Sequence, residues 1–133
     1  MANAVAVLIH EYQAPIPMTC ADGAGIPKGT LLALTDPLTV AATSGANDKF
    51  GGIAAEEKIS GDGKTKIAVY RKGVFRVESG TNGTTVGLPQ VIDDGANEVT
   101  DLAANDSDLG YVFGTALETA TNGETFLMEL GTQ

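Results

Sequence analysis

Short stretches in which every second residue is apolar follow one another along most of the chain. In residues 64–70, Thr65, Ile67 and Val69 fall on one face, and Phe75 and Val77 do the same in residues 74–78. Because successive strand side chains point to opposite faces, this period of two predicts β-strands with one buried face. Further strands are predicted at residues 5–9, 30–34, 38–42, 52–56, 90–93, 98–102, 111–117 and 126–130.

Dipeptides typical of tight turns separate these stretches, and the chain has no amphipathic pattern long enough for a useful helix. Short strands with frequent turn signals predict an all-β fold, a small β-barrel or β-sandwich, which the pattern does not distinguish. The turn dipeptides are Asp36-Pro37, Ser44-Gly45, Asp62-Gly63, Asn82-Gly83, Asp94-Gly95 and Asn122-Gly123.

The first 27 residues differ from the rest. An apolar alternation at residues 5–9 leads into Ala14-Pro15-Ile16-Pro17, and prolines favour extended backbone while removing hydrogen-bond donors. We predict an extended N-terminal arm at residues 1–27 and a compact β domain at residues 28–133. The arm lies either on its own domain or along a sheet edge of a partner.

A short internal repeat links the two halves of the chain. The sequence GIAAE at residues 52–56 resembles GTALE at residues 114–118, and each is preceded by a short predicted strand and followed by a polar turn. We therefore hypothesise a duplication that produces two similar halves of a small barrel.

Composition and charge narrow the function. A length of 133 residues fits one domain, and with 4 Phe, 3 Tyr and no Trp its core must be mostly aliphatic. A net charge of -9 disfavours nucleic-acid and anionic membrane partners. The first ten residues lack a basic start and are too short to span a bilayer, so we expect no secretion.

The charges are unevenly placed. Residues 58–76 carry six basic side chains and one acid, whereas residues 77–133 carry ten acids and neither Lys nor Arg. This asymmetry suggests complementary surfaces that meet between subunits or with a partner, the alternative being two solvated faces of one sheet. The six basic residues are Lys58, Lys64, Lys66, Arg71, Lys72 and Arg76.

The residue types needed for catalysis or metal binding are sparse. One Cys and one His exclude an intrachain disulfide and a zinc cluster, and His10 and Cys20 straddle two prolines, which makes a poorly preorganised dyad. The segment 61–64 lacks the earlier glycine and the following helix of a phosphate loop, so a hairpin turn is predicted. The acids at 93–108 lack calcium-loop spacing; solvated carboxylates are expected, with a weak divalent site as the alternative.

A series of glycine-containing motifs occurs in a fixed order along residues 26–130, and this order resembles the small capsid decoration (cement) proteins of tailed bacteriophages. The motifs are KGTLL at 28–32, FGGIA at 50–54, VYRKGVFRV at 69–77, GLPQV at 87–91, LGYVFGTALE at 109–118 and the closing run at 123–130.

The resemblance implies a compact β fold of the β-tulip type, assembled as a homotrimer on the outer surface of the capsid. Such proteins bind the major capsid protein at three-fold or quasi-three-fold positions and stabilise the expanded shell, after being made in the host cytoplasm. It implies no enzyme activity, no cofactor, and neither nucleic acid nor membrane as a partner.

We expect residues 2–17 and a basic group to contact the capsid or a neighbouring subunit. The alternatives are another virion module, such as a head fibre base, tail or neck component, and a non-viral β module that binds sugars or surfaces. The predicted contact residues are Val5, Val7, Leu8, Ile9, Tyr12, Ile16, Lys66, Arg71 and Lys72.

Overall fold

The computed structural model of the 133-residue chain describes residues 6–43, 49–80, 83–94, 97–102 and 114–130, and this part of the chain is all-β. It contains no helix that could cross a membrane. Its strands are β1 (Val7–Glu11), β2 (Ile16–Thr19), β3 (Leu31–Asp36), β4 (Thr39–Ala42), β5 (Phe50–Ala54), β6 (Lys66–Tyr70), β7 (Gly73–Ser79), β8 (Pro89–Asp94), β9 (Glu98–Asp101), β10 (Gly114–Ala116) and β11 (Thr125–Leu130).

Most predicted strands are confirmed, with ends shifted by a few residues. The predicted strand at 111–117 is described only from Gly114. Residues 111–113, Val5, the turn at 44–45, Asn82 and Gly95 lie outside the described residues.

The strands close into two five-stranded barrels that follow each other along the chain. The first barrel has the ring order β2-β4-β3-β5-β6, and the second has β7-β9-β8-β10-β11. The two rings have the same pairing. β2 pairs in parallel with β4 and antiparallel with β6, and β7 pairs in parallel with β9 and antiparallel with β11. The predicted all-β fold is therefore confirmed; of the two forms left open, the barrel is the one observed, and it is present twice.

Equivalent hydrogen bonds confirm the internal repeat and show that the repeated unit is larger than expected. The N–H of Gly29 donates to the carbonyl of Ala54 at 2.9 Å, and Gly87 donates to Ala116 at 2.8 Å in the second barrel. The glutamates that end the two motifs also match. Glu56 accepts from the N–H of Ala68 and Glu118 from that of Leu127. Each repeat is thus a complete barrel and not half of one.

Leu31 and Leu32 show how the barrels are joined. Both are fully buried although they are consecutive in β3. Leu32 points into its own barrel, together with Val40, Ile67 and Val69. Leu31 points outward and joins the cluster of the second barrel, because adjacent strand residues face opposite ways. The apolar cores of the two barrels therefore meet across the face of β3.

Two equivalent glycines allow close packing inside the barrels. Gly52 has a φ of 139°, and a Cβ there would collide with Val69. A Cβ on Gly114 would lie 2.7 Å from the carbonyl oxygen of Glu129. Gly114 therefore allows β11 to approach β10 closely.

The same positions are filled differently in the two interiors. In the second barrel the hydroxyls of Ser79 and Thr84 lie 2.9 Å apart, and Thr84 also hydrogen-bonds to the buried Gln90. Gln90 in turn donates to Asp101 at 2.8 Å. At the equivalent positions the first barrel holds the buried residues Cys20, Ile26 and Leu32.

The predicted division into an arm at 1–27 and a domain at 28–133 differs from the pairing that the structure shows. β2 lies within the predicted arm but pairs with β6 and helps to close the first barrel. Pro17 is tolerated because β2 meets β4 only at Thr19, so that side of β2 has almost no ladder to interrupt. Of the described strands, only β1 lies outside both rings.

Candidate interaction surface

β1 is an added strand on the outside of the second barrel. It pairs antiparallel with the first half of β7, from Val7 opposite Arg76 to Glu11 opposite Gly73. Among the described residues no strand pairs with its other edge. An unpaired edge offers backbone N–H and C=O groups to another chain.

The side chains of β1 divide between the core and solvent. Leu8 packs against the core of the second barrel. Val7 is 51% exposed, and Ile9 is exposed beside it on the same strand. Of the two arrangements expected for the N-terminal segment, residues 7–11 lie on their own domain, with apolar side chains still facing out.

Tyr12 extends this surface just beyond β1. It is exposed, and its phenol forms a hydrogen bond with the carboxylate of Glu129 in β11. This bond, together with partial desolvation and the negative charge of Glu129, raises the pKa of Tyr12. We call Val7, Ile9 and Tyr12 the β1 surface.

Ile16 and Arg71 are less available than the sequence suggested. Ile16 is half-buried and packs against the core of the first barrel. The guanidinium of Arg71 donates to the carbonyl of Gly51 at 2.9 Å and to that of Phe50 at 3.4 Å. Both residues therefore support the fold.

Only some of the basic side chains are available to a partner. Lys66 and Lys72 are exposed, whereas Arg76 forms a 3.7 Å ion pair with Glu118. The side chain of Lys58 is only 1% exposed. The local excess of basic residues therefore overstated the charge available to a partner.

Lys58 is the centre of a buried ion network that sequence reasoning missed. Its ammonium lies 2.7 Å from a carboxylate oxygen of Asp62 and 3.0 Å from one of Asp22, and it also donates to two backbone carbonyls. Burial would lower the pKa of Lys58, but its bonds to the two carboxylates outweigh burial and raise it. The bond from Lys58 and the N–H of Lys64 lower the pKa of Asp62. The sequence carries no clear signal for this network, because an i,i+4 spacing pairs side chains on a helix and residues 58–62 are not helical.

This network also explains the segment that resembles a phosphate loop. The N–H of Gly63 donates to Asp22 at 2.8 Å, and that of Lys64 donates to Asp62 at 3.0 Å. These donors are satisfied by carboxylates of the same chain, which would repel a phosphate. The segment is a turn, as predicted.

The structure does not bring Cys20 and His10 together, and it shows no metal site among the described residues. Cys20 is buried in the first barrel, which raises the pKa of its thiol, while His10 is exposed on β1. In the part of the chain that is described, no three His, Cys, Asp or Glu side chains are grouped so that they could hold a metal ion. Asp106 and Asp108 lie outside it.

Comparison with known proteins identifies a structural neighbour. The chain is similar to the N base of the head fibre protein gp8.5 of bacteriophage phi29, with a TM-score of 0.58 and 17% sequence identity. The similarity covers 88% of this chain and 92% of that one. The likeness establishes a shared fold. No protein-family model and no curated protein matches the chain.

The extent of the match includes both barrels of this chain, because 88% coverage cannot be reached with either one alone. The head fibre base thus shares the arrangement of the pair and not just one small barrel. At this level of identity the likeness carries no individual residue from one protein to the other.

Proposed function

We propose that the protein is a structural component of a tailed-phage head that binds the outer surface of the capsid as a homotrimer. Its partner is the major capsid protein at three-fold or quasi-three-fold positions, where it stabilises the expanded shell. The observation that carries this proposal is the fold shared with a phage head fibre base over nearly the whole of both chains. The order of glycine motifs supports it independently.

The β1 surface is the capsid contact in this proposal. Within the described part of the chain one edge of β1 is unpaired, and a strand of a capsid subunit can add to it through main-chain hydrogen bonds. Val7 and Ile9 supply apolar area at that edge. Three linked copies would bind as one unit, so that a small contact in each copy is sufficient.

The second candidate function is the base of a longer fibre. It is favoured by one observation, which is that the structural neighbour is the base of a head fibre. A fibre base would hold the same position on the head but carry a further projecting part.

Cryo-electron microscopy of matching heads, with and without added protein, tests the proposal. We expect extra density at three-fold or quasi-three-fold positions that accommodates two barrels per chain. Heads that stay bare at saturating protein would contradict capsid binding. In native virions, density that ends at the barrels supports a decoration protein, and a thin extension supports a fibre base.

A further inference from the structure

The β8–β9 hairpin of the second barrel docks on one corner of the first barrel. Asn97 at the hairpin tip accepts from the N–H of Leu31 at 2.6 Å and donates to the carbonyl of Gly29 at 3.1 Å. Ile92 in the same hairpin is buried in the cluster that includes Leu31. This contact joins two copies of one repeated unit, head to tail.

Because the unit occurs twice, there is a second hairpin and a second corner that do not take part in this contact. The β3–β4 hairpin of the first barrel is equivalent to β8–β9, and its tip residue Leu38 corresponds to Asn97. Both tips have positive φ, 52° for Leu38 and 67° for Asn97, but Leu38 is 64% exposed. Leu34, the equivalent of the buried Ile92, is also exposed. We call Leu34 and Leu38 the free hairpin.

The matching corner of the second barrel is also uncovered among the described residues. Val86 is 54% exposed, and Leu88 and Leu117 are exposed beside it. Their backbones are held together, because the N–H of Gly87 donates to the carbonyl of Ala116 and the N–H of Ala116 donates to that of Leu88. A Cβ on Gly87 would meet no atom within 4 Å. We call Val86, Leu88 and Leu117 the free corner.

The free hairpin and the free corner each lack the polar group that their equivalents use in the contact within the chain. The N–H that Asn97 binds belongs to Leu31, and the residue equivalent to Leu31 is Pro89, which has no N–H. The hairpin that would dock there carries apolar Leu38 in place of the amide. A polar pair within the chain is thus matched by an apolar pair on the unused surfaces, which favours burial of one against the other.

Charge favours the same pairing of unlike barrels. Seven acidic and seven basic residues precede Gly73, whereas ten acids and one basic residue, Arg76, follow from Gly73 onward. A two-fold contact through the free corner would bring two acidic barrels together. A head-to-tail contact places a neutral barrel on an acidic one.

We propose that the free hairpin of one copy docks on the free corner of the next copy, repeating between chains the contact that Asn97 makes within the chain. This inference rests on the proposed self-assembly and names its interface. A heterologous contact of this kind closes into a ring when its rotation permits. The occupant of both surfaces is therefore a second copy of the chain.

Light scattering coupled to size-exclusion chromatography tests the proposal on the full chain. We expect the wild-type protein to elute as an oligomer, and Leu38→Asp or Val86→Asp to elute at the 13.6 kDa mass of one chain. Each variant places a carboxylate in an apolar contact, which should weaken association about tenfold or more. Ile59→Asp is the matched control, because Ile59 is 54% exposed on the first barrel and belongs to neither surface.

A mixing experiment distinguishes this contact between unlike surfaces from one in which two hairpins or two corners meet. Leu38→Asp retains its corner and Val86→Asp retains its hairpin, so an equal mixture should form a species of two chains. Each variant alone should stay monomeric. A mixture that remains monomeric would overturn the proposal.

Failure of this interface can be told apart from failure of the proposed homotrimer. An unchanged wild-type-like oligomer in Leu38→Asp, with unchanged circular dichroism, would show that the interface lies elsewhere while self-assembly stands. A wild-type protein that is monomeric at every concentration would overturn both this interface and the homotrimer. Capsid occupancy of the same variants then decides whether head binding survives.

Discussion

Asn97 and Leu31 are 66 residues apart in the chain and are joined by a 2.6 Å hydrogen bond in which the side-chain oxygen of Asn97 accepts from the backbone of Leu31. The same side chain donates to Gly29, so one buried amide satisfies two main-chain groups of the other barrel. Its φ of 67° lies in the left-handed region, which asparagine tolerates better than most residues. Asn97 therefore fixes the position of one barrel on the other.

Replacing Asn97 should destabilise the protein in two separable ways. Asn97→Gly keeps the backbone conformation but leaves a buried N–H without a partner, which should cost about 1–3 kcal/mol. Asn97→Ala adds the left-handed penalty of about 1–2 kcal/mol. Urea unfolding measures both. In the Val86→Asp background, in which no second copy covers the equivalent tip, Leu38→Gly should cause no comparable loss, and equal losses at the two tips would refute this role of Asn97.

The ion network at Lys58 predicts how stability changes at low pH. The pKa of Asp62 is lowered in the folded state, so its contribution is present above its unfolded value of about 4. That contribution is lost as the pH falls through the folded pKa. The urea midpoint should therefore fall on acidification, and it should fall less steeply in Asp62→Asn.

The same network predicts a loss of stability at high pH. The pKa of Lys58 is raised, so its contribution is complete below its unfolded value of about 10.4 and is lost as the pH rises through the folded pKa. Lys58→Met should lower the urea midpoint at neutral pH and remove this alkaline dependence. The exposed neighbour gives the control Lys64→Met, for which both midpoint and pH profile should stay the same.

The polar interior of the second barrel should behave as a unit. Gln90→Leu alone removes one hydrogen-bond partner from Thr84 and one from Asp101, at a cost of about 0.5–1.5 kcal/mol for each bond lost. The triple variant Ser79→Cys, Thr84→Ile and Gln90→Leu copies the first barrel and should cost less than the sum of its single variants. Losses in unfolding free energy that simply add would show that the three side chains act independently.

Capsid binding should depend on the β1 surface. The double variant Val7→Lys and Ile9→Lys should reduce occupancy on expanded heads while leaving the melting temperature near that of the wild type, because both side chains are exposed. Removing residues 2–17 instead would cut into β2 and open the first barrel. Sedimentation of heads with bound protein measures occupancy, and Ile59→Lys is the control; equal binding by all three proteins would exclude β1.

Much of the fold was predictable because the signal is local. The alternation at Phe75 and Val77 correctly gives a buried face, as does that at Ile67 and Val69, since strand burial has a period of two. The closure of the barrels was not predictable, because a sandwich requires the same alternation. β2 was missed since Pro15 and Pro17 mask a strand whose partners lie far along the chain.

The candidate surface was predictable only in part, for a related reason. Val7, Ile9 and Tyr12 are exposed as a contact surface requires, but the count of basic residues did not reveal that Lys58 is buried and Arg71 is bound to backbone. Burial of a charge depends on carboxylates brought in by other loops. Likewise, the sequence marks a turn near Asn97 but not the backbone groups across the barrel interface that its side chain binds.

Two residues, Arg71 and Lys72, are all that separates the last strand of one barrel from the first strand of the next. During synthesis the first ring can therefore close as soon as β6 emerges from the ribosome, before the strands of the second ring have emerged. At that moment Leu31 and Ile53 face water, because the cluster that buries them is still to be made. A pause in translation at that stage would prolong an aggregation-prone intermediate, and a chain ending at residue 72 would be poorly soluble.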